Sequence, residues 1–342
     1  MTNKTLTVVI PMAGYGKRLR PQTWSKPKPL VQVAGKTVLD HVLEIIGTAA
    51  NLENCRLALI IGYLGDQIKA HMQEYYPSVE TNFYTQVEML GQTHAIAIAR
   101  EQIEGPTLIL FADTIVHDDL SFLLDPDFRE DGVVWVKQVE DPRRFGVVVT
   151  GDNGYIQDII EKPDSMDNDL AVVGYYYFAR GEDLMTAIDQ QLNQNMINKG
   201  EYYIADAMKL MIEQGAELMP KTVDVWLDAG VPGTVLETNR YLLDHQHEQP
   251  LPDDLPDDVE VIPPVMIHPS AHIRRSKIGP HASIGAGCRV EGSTIENSII
   301  EAETVVDSSR LNQALVGERA YVSGVNGAVI VGDDSVVKNT TR

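Results

Sequence analysis

Residues 6–21 read LTVVIPMAGYGKRLRP and decide the fold of the first half of the chain. The β-branched, apolar run at 6–10 indicates a buried strand, and Gly14 and Gly16 follow it closely. Glycines there let backbone N–H groups approach phosphate oxygens, and the basic residues beyond them can neutralise phosphate charge. A dinucleotide fingerprint would need a third glycine where Leu19 stands, and a P-loop would need a Gly-Lys-Ser/Thr ending. The segment therefore predicts a phosphate-binding loop of another kind, after the first strand of an α/β domain.

The first 243 residues alternate short β-branched runs with longer amphipathic segments, which is typical of an α/β domain built on a mostly parallel sheet. Strands are predicted at residues 6–10, 57–61, 107–111 and 133–136. Apolar residues recur at helical spacing at Val38, Leu39, Val42, Ile45 and Ile46, and a weaker helical pattern spans 96–103. We therefore assign residues 1–243 to one α/β domain.

The pattern changes after residue 243. Residues 244–260 contain seven acidic residues, three prolines and no Lys or Arg, which predicts a solvated linker at 244–262, with no metal role for His245 and His247. From Ile267 to Val322, aliphatic residues recur mostly every five or six positions. Such a hexapeptide repeat winds a parallel β-helix whose short faces each bury one aliphatic side chain. We predict this β-helix at 263–342, with about four turns.

The composition limits the class of protein. Of 342 residues, 44% are hydrophobic and 23% are charged, and no apolar run approaches the roughly 20 residues that span a bilayer. We therefore expect no membrane partner. The net charge of −21 argues against a nucleic-acid partner, so an anionic substrate must be held by a local group of basic residues. The densest such group, the basic cluster, is Lys17, Arg18, Arg20, Lys26 and Lys28.

Two further features indicate a cytoplasmic protein. The N-terminal stretch runs directly into the glycine loop, without the small-residue cleavage site of a secretory signal. Cys55 and Cys288 are too few and too far apart for a disulfide framework or a Cys-based zinc site. We expect both to be buried free thiols.

Residues 10–30 resemble the signature of the sugar-1-phosphate nucleotidylyltransferases. That signature runs Gly-x-Gly-Thr-Arg-Leu-x-Pro-x-Thr and then Pro-Lys-Pro-Leu, and it matches residues 14–23 and 27–30 here. Ala13 stands where many members have Gly, and Lys17 where most have Thr. The resemblance covers essentially the whole chain and is closest to β-helix-bearing glucose-1-phosphate thymidylyltransferases, with features of UTP-glucose-1-phosphate uridylyltransferases. It implies a Rossmann-like sheet of the nucleotide-diphospho-sugar transferase type, followed by a short left-handed β-helix.

The resemblance also implies nucleotide and metal roles. The positions that would bind the nucleotide are Ala13, Gly14, Gly16, Arg18, Lys28, Gln86 and Gly91. A Gln amide donates and accepts at once, so Gln86 can pair with the edge of uracil or thymine. Asp113 follows a predicted strand at the end where open α/β sheets bind ligands. With Asp228, in the family's Trp-x-Asp-x-Gly motif, it would hold Mg²⁺, which prefers oxygen ligands.

The sugar side of the family pattern is matched at 145–148, 161–163 and 200–202. Lys162 would bind the phosphate of a hexose 1-phosphate, while Gly146, Glu161 and Glu201 would hold sugar hydroxyls. The implied reaction is attack of the sugar phosphate on the α-phosphorus of dTTP or UTP, in one cleft that holds both substrates. Its catalytic residues would be Arg18, Lys28, Asp113 and Lys162.

Two other functions stay open at this point. One is a regulatory subunit that binds nucleotide-sugar without turnover, and the other is a bifunctional enzyme with an acetyltransferase site in the β-helix. Because about four coils are short for such a site, His268, His272 and His281 are expected to face solvent. The β-helix is instead assigned to a homo-oligomer, a trimer or else a dimer or tetramer. The sequence leaves open both the base and the sugar.

Overall fold

The computed structural model describes residues 5–125, 127–245, 251–252 and 255–339. The chain forms two compact units. The first unit consists of Met1–Gly14 and Val42–Trp226, and the second of Tyr15–His41 and Leu227–Arg342. Most of the signature loop therefore groups with the C-terminal part of the chain. In the described parts of the chain, no helix is long and apolar enough to cross a membrane.

A nine-stranded sheet forms the first unit. Its four parallel central strands lie in the order Thr81–Thr85, Cys55–Ile61, Leu6–Pro11 and Thr107–Leu110. The sheet continues through the antiparallel strands Leu170–Phe178, Gly146–Thr150 and Ile156–Glu161. The strand Gly132–Gln138 pairs with Leu170–Phe178 and, in parallel, with Leu218–Thr222. All four predicted strands are confirmed, as is the predicted α/β class.

The helices are Val38–Ala49, Gly65–Tyr75, Gln92–Ile98, Gly181–Asn193, Ile204–Glu213 and Pro232–His245. The predicted helix at 38–46 is confirmed, and four of its five apolar residues are fully buried. The weaker pattern at 96–103 is only half helical, because the helix ends at Ile98 and the short 3₁₀ turn Arg100–Gln102 carries the chain to Ile103. Short strands also occur at Gln32–Val33, Lys36–Thr37, Thr114–Val116 and Trp226–Asp228.

The strand order of the first unit reverses beside Leu6–Pro11. The chain passes from this strand to Cys55–Ile61 on one side, and only later to Thr107–Leu110 on the other. Open α/β sheets bind ligands at the carboxyl ends of their strands next to such a switch point. Ala13 follows the first of these strands and Asp113 follows the last, so both lie at this edge.

Three five-stranded parallel sheets form the faces of the β-helix in the second unit. The first face is Glu260–Val261, Lys277–Ile278, Thr294–Glu296, Arg310–Asn312 and Asn326–Gly327. The second is Val265–Ile267, Ala282–Ile284, Ser298–Ile300, Leu315–Val316 and Ile330–Val331. The third is His272–Arg274, Arg289–Glu291, Val305–Asp307, Tyr321–Ser323 and Val336–Lys338. The aliphatic repeat from Ile267 to Val322 is buried in the core that these faces enclose, as predicted for a left-handed β-helix.

The β-helix has five turns, one more than the predicted four. The first strand begins at Glu260, before the predicted start, and paired residues such as Lys277 and Thr294, or Thr294 and Arg310, are 17 or 16 positions apart. Three hexapeptides would need about 18 residues per turn. Because the turns are shorter than 18 residues and the β-helix begins earlier than predicted, the segment contains one more turn.

The cysteines and the histidines test two smaller expectations. Cys55 and Cys288 are buried free thiols, as predicted. His268 and His272 are exposed, but the prediction for His281 is wrong. Its side chain is only 11% exposed, because the helix Pro232–His245 packs over it and Asp244 Oδ1 lies 2.7 Å from His281 Nε2. His247 lies outside the described residues, as does part of the predicted linker.

Candidate active site

The four residues predicted to bind the sugar phosphate line one cavity of the first unit: Gly146, Glu161, Lys162 and Glu201. The cavity has a volume of about 280 Å³. Its walls come from the strands Gly146–Thr150, Ile156–Glu161 and Leu170–Phe178 and from the helix Ile204–Glu213. A concave site of this size, with a few polar groups among apolar ones, suits a small ligand.

Lys162 is held in place from both its backbone and its side chain. Its N–H donates to the carbonyl of Phe145, next to the pair formed by Glu161 and Gly146 across two antiparallel strands. Its φ of 48° is left-handed, which costs a non-glycine residue about 1–2 kcal/mol. The ammonium donates to the hydroxyl of Tyr203 at 3.1 Å and lies 3.4 Å from Glu161 Oε1. A strained residue with so many partners is typical of a functional position.

The charged groups of the cavity influence each other. Burial raises the pKa of Glu161, and Asp206 adds to this rise, whereas Lys162 opposes it. Burial would lower the pKa of Lys162, but the hydrogen bond to Tyr203 and the charge of Glu161 raise it overall, so Lys162 stays a cation. Burial also raises the pKa of Asp206, whose Oδ2 has no hydrogen-bond partner among the described residues. The cavity thus offers one fixed cation beside carboxylates that can accept from hydroxyls.

The sequence did not single out two polar residues of this cavity. Arg144 lines it and adds a second cation next to the Phe145-Gly146 motif. Tyr203 also lines it, and its ring packs under the Lys162 ammonium, 4.8 Å from Nζ to the ring centroid. Each is the direct sequence neighbour of a matched motif. Only their position beside a motif could have pointed to Arg144 and Tyr203, because neither residue belongs to the family motifs.

Gln86 and Gly91 lie at two ends of one loop and contact each other. The Gln86 amide donates to the Gly91 carbonyl at 3.2 Å and lies 3.2 Å from His94 Nδ1. Gly91 has a φ of 110° and forms a bridge with Tyr202, whose N–H donates to the carbonyl of Leu90. The loop that carries the predicted base contacts is therefore joined to the segment that carries Glu201.

The chain after the first strand packs tightly at Ala13. A methyl group at Gly62 would lie 2.6 Å from the Ala13 carbonyl oxygen, so the two backbones meet directly. Gly14 is exposed, and a methyl group there would meet nothing within 4 Å.

Asp113 is half-buried two residues beyond Phe111, which lines the cavity. Burial and the Asp113 carboxylate raise the pKa of the buried Tyr175.

In the second unit, the signature loop is a series of 3₁₀ turns closed by one hydrogen bond. Gly16 has a left-handed φ of 59°, and the hydroxyl of Thr23 donates to its carbonyl at 2.8 Å. A methyl group at Gly16 would lie 2.9 Å from the Thr23 side chain, which explains glycine at this position. Arg18 is exposed and Lys28 is half-buried.

The basic cluster is smaller than the sequence suggested. The guanidinium of Arg20 stacks over the ring of Trp24, 3.8 Å from its centroid. Lys26 is only 5% exposed and pairs with three carboxylates of the β-helix, so the interpretation of Lys26 as a substrate cation is wrong. Lys17 and Arg18 remain exposed.

Asp228 is oriented by its neighbours in the second unit. The Thr234 hydroxyl donates to Asp228 Oδ2 at 2.8 Å, and a methyl group at Gly230 would lie 2.8 Å from Oδ1. Glycine thus keeps the space beside the carboxylate open, while Thr234 fixes one oxygen, as outer-shell partners of metal ligands do. Within the described ranges, no three His, Cys, Asp or Glu side chains could hold a metal ion together. Mg²⁺ usually takes one or two carboxylates and completes its shell with water and substrate phosphates, so isolated aspartates fit it.

Comparison with known proteins agrees with this fold. Residues 7–245 match the family described as nucleotidyl transferase, and residues 261–342 match the GMPPB C-terminal domain. A glucose-1-phosphate thymidylyltransferase of Streptomyces griseus is 30% identical over 91% of this chain and 87% of its own length. The UTP–glucose-1-phosphate uridylyltransferase AglF of Haloferax volcanii is 31% identical over 66% of this chain and 92% of its own length.

Among solved structures, one from Bacillus anthracis in complex with sucrose, described as a glucose-1-phosphate thymidylyltransferase, superposes with a TM-score of 0.61 at 21% identity. It covers 72% of this chain and 98% of its own, and it shows the shared fold. The family match spans well over half of the chain, and its range includes the motifs from Gly14 to Asp228. This chain therefore belongs to the nucleotidyl transferase family, among the sugar-1-phosphate nucleotidyltransferases.

Proposed function

We propose that this protein joins dTTP or UTP to glucose 1-phosphate, or to a closely related hexose 1-phosphate, and releases pyrophosphate. The observation that carries the proposal is the cavity lined by Gly146, Glu161, Lys162 and Glu201. Motifs far apart in sequence supply a cation for the phosphate and carboxylates for the hydroxyls of one small ligand. The names of the two relatives suggest the same sugar and these two nucleotides.

In the proposed reaction, a phosphate oxygen of the sugar attacks the α-phosphorus of the nucleotide, and the bond to the pyrophosphate oxygen breaks. Lys162 orients the attacking phosphate, since its ammonium is fixed by Tyr203 and Glu161. Arg18 and Lys28 neutralise charge on the departing pyrophosphate. No general base is needed, because the attacking oxygen is already ionised at neutral pH.

We assign the nucleotide contacts to Ala13, Gly14, Gly16, Gln86 and Gly91. Gln86 favours a pyrimidine with one donor and one acceptor on its edge, although its amide nitrogen already contacts Gly91 and His94. Asp113 and Asp228 carry the carboxylates that would hold Mg²⁺. When bound, the ion supplies positive charge against the phosphate oxygens.

The proposal is tested by pyrophosphate release from a panel of nucleoside triphosphates with several hexose 1-phosphates in the presence of Mg²⁺. We expect turnover with dTTP or UTP and glucose 1-phosphate. Asp113→Asn should keep the melting temperature and lose activity by orders of magnitude, since a neutral amide is a poor Mg²⁺ ligand. Near wild-type turnover of Asp113→Asn would rule out the metal assignment.

Binding and acetylation measurements beside this assay separate the other functions. Tight nucleotide-sugar binding without pyrophosphate release would indicate a regulatory subunit, and acetylation of an amino-sugar phosphate by acetyl-CoA would indicate a second activity.

We also keep the domain division at 243 and 263 as a proposal, together with a homo-oligomer formed through the β-helix. Light scattering after size-exclusion chromatography measures the oligomeric state.

A further inference from the structure

A buried lysine attaches the signature loop to the β-helix. Lys26 lies between Arg18 and Lys28 in sequence, and its ammonium forms an ion pair with Glu301. It also lies 2.9 Å from Glu318 Oε1 and 3.4 Å from Asp333 Oδ1. Glu301 is completely buried, and Asp333 is 3% exposed. Burial would lower the pKa of Lys26, but these three carboxylates raise it well above its usual value, so the attachment is ionic.

Neighbouring residues of the loop add hydrogen bonds to two of these turns of the β-helix. The Gln22 amide donates to the carbonyls of Leu315 and Val331, at 3.1 and 3.0 Å. The Ser25 hydroxyl donates to Asp333 Oδ2 at 2.6 Å. A methyl group at Gly332 would lie 3.0 Å from the carbonyl oxygen of Pro21, so the two backbones touch. Pro21, Gln22, Ser25 and Lys26 thus all contact the β-helix.

A second set of hydrogen bonds joins the chain just after the signature loop, at Ala34, to the helix that orients Asp228. Asn239, in the helix Pro232–His245, accepts from the Ala34 N–H at 2.8 Å and from the Ser283 hydroxyl at 2.7 Å. The same helix supplies Thr234, which orients Asp228. One helix therefore connects the loop, the β-helix and the predicted metal ligand within the second unit.

We infer that the β-helix holds the phosphate-binding loop in its working conformation, and that Lys26 is the positioning residue of this attachment. This inference rests on the proposed function, because it assigns the loop to the nucleotide. The β-helix then contributes to turnover directly, independently of any role in oligomerisation. The proposed role of Lys26 involves no contact with the substrate. Lys26 fixes the backbone from which Arg18 and Lys28 project.

The test compares four full-length proteins: wild type, Lys26→Met, Glu318→Gln and Glu291→Gln. Glu291→Gln is the matched control, because Glu291 also belongs to an ion pair of the β-helix, but with Arg275. We expect Lys26→Met to raise the KM for the nucleotide by about tenfold or more, with the KM for the sugar phosphate within about twofold of wild type. Glu318→Gln should change the nucleotide KM in the same direction by a smaller factor. The control should change neither.

Hydrogen exchange of the backbone amides at 16–30 gives a readout that does not depend on activity. Lys26→Met should exchange faster in this segment than wild type, while the amides of the strand Leu6–Pro11 keep their rate. If wild type shows no turnover with any nucleotide, the proposed function fails, yet the exchange comparison still decides whether Lys26 holds the loop.

Three results would overturn the inference. The first is a folded Lys26→Met protein with unchanged exchange at 16–30 and a wild-type nucleotide KM. The second is an equal change in both KM values with a general loss of protection, which would show a purely structural role. If Lys26→Met does not fold, Glu318→Gln decides, and indistinguishable nucleotide KM values for Glu318→Gln and Glu291→Gln would be the third.

Discussion

Gly91→Ala should impair the binding of both substrates, because this glycine joins two parts of the first unit. A methyl group at Gly91 would lie 2.6 Å from both N and O of Tyr202. These are backbone atoms in the bridge that links the loop 86–91 to the segment with Glu201. The two segments must move apart to admit the methyl group, and the positions of Gln86 and Glu201 change together.

The structure sets the size of this effect. The conformation of Gly91, with φ 110° and ψ −177°, is one that essentially only glycine adopts, and forcing alanine into it costs about 1–3 kcal/mol. The backbone clash adds a comparable cost, about 1–3 kcal/mol for overpacking. Together the cost of roughly 2–6 kcal/mol should lower the melting temperature by at least about 4 °C. We expect both KM values to rise about tenfold or more, because reacting groups are misplaced.

Gly154→Ala is the matched control for this substitution. Gly154 also has a positive φ, 84°, but a methyl group there would meet nothing within 4 Å. It carries the conformational cost, about 1–2 kcal/mol, without the clash. Pyrophosphate release measured against each substrate, with thermal unfolding of the same samples, separates the two effects. If Gly91→Ala showed the same KM values as Gly154→Ala, the bridge would not couple the two binding segments and the reasoning would be wrong.

Two other predictions concern titratable groups. Because burial raises the pKa of Glu161, this carboxyl takes up its proton at a higher pH than an exposed Glu, whose pKa is about 4.3. The KM for the sugar phosphate should therefore rise as the pH falls through the raised pKa, more steeply in wild type than in Glu161→Gln; identical pH profiles would exclude this role. Burial raises the pKa of both Cys55 and Cys288 to about 11, so iodoacetamide at neutral pH should label neither until denaturant unfolds the protein. Mass spectrometry of the native sample checks this, and a labelled native thiol contradicts it.

The sheet and the grouping of four motif residues in one cavity could be predicted because their signals are local or ordered. A strand that is buried on both faces, such as Leu6–Pro11, is recognisable as a continuous β-branched run. Gly146, Glu161 and Glu201 each belong to a short motif, and the family order brings the motifs to one cavity. Tyr203 escaped prediction because its role depends on the side chain of Lys162, 41 positions away.

The hexapeptide period alone could not predict the number of turns or the burial of His281. A hexapeptide period identifies the β-helix, but the turns of 15, 16 or 17 residues depend on how each corner is built. His281 lies on the outside of the repeat, which alone indicates exposure. The helix that covers it comes from another part of the chain, and the contact to Asp244 spans 37 positions.

Lys26 gives the sharpest case, because charge alone suggested the wrong partner. Five basic residues within twelve positions of a glycine loop favour an anionic substrate, and an exposed lysine there would bind one. Two of the three carboxylates that pair with Lys26 come from residues 275 and 292 positions further along, the third lies further still, and no local pattern marks them. Removing the Lys26 ammonium and the carboxylates of Glu301 and Asp333 from water is costly unless they pair with each other. These ion pairs therefore favour the loop conformation that rests on the β-helix, and this is why we infer that the C-terminal repeat contributes to the proposed nucleotide site.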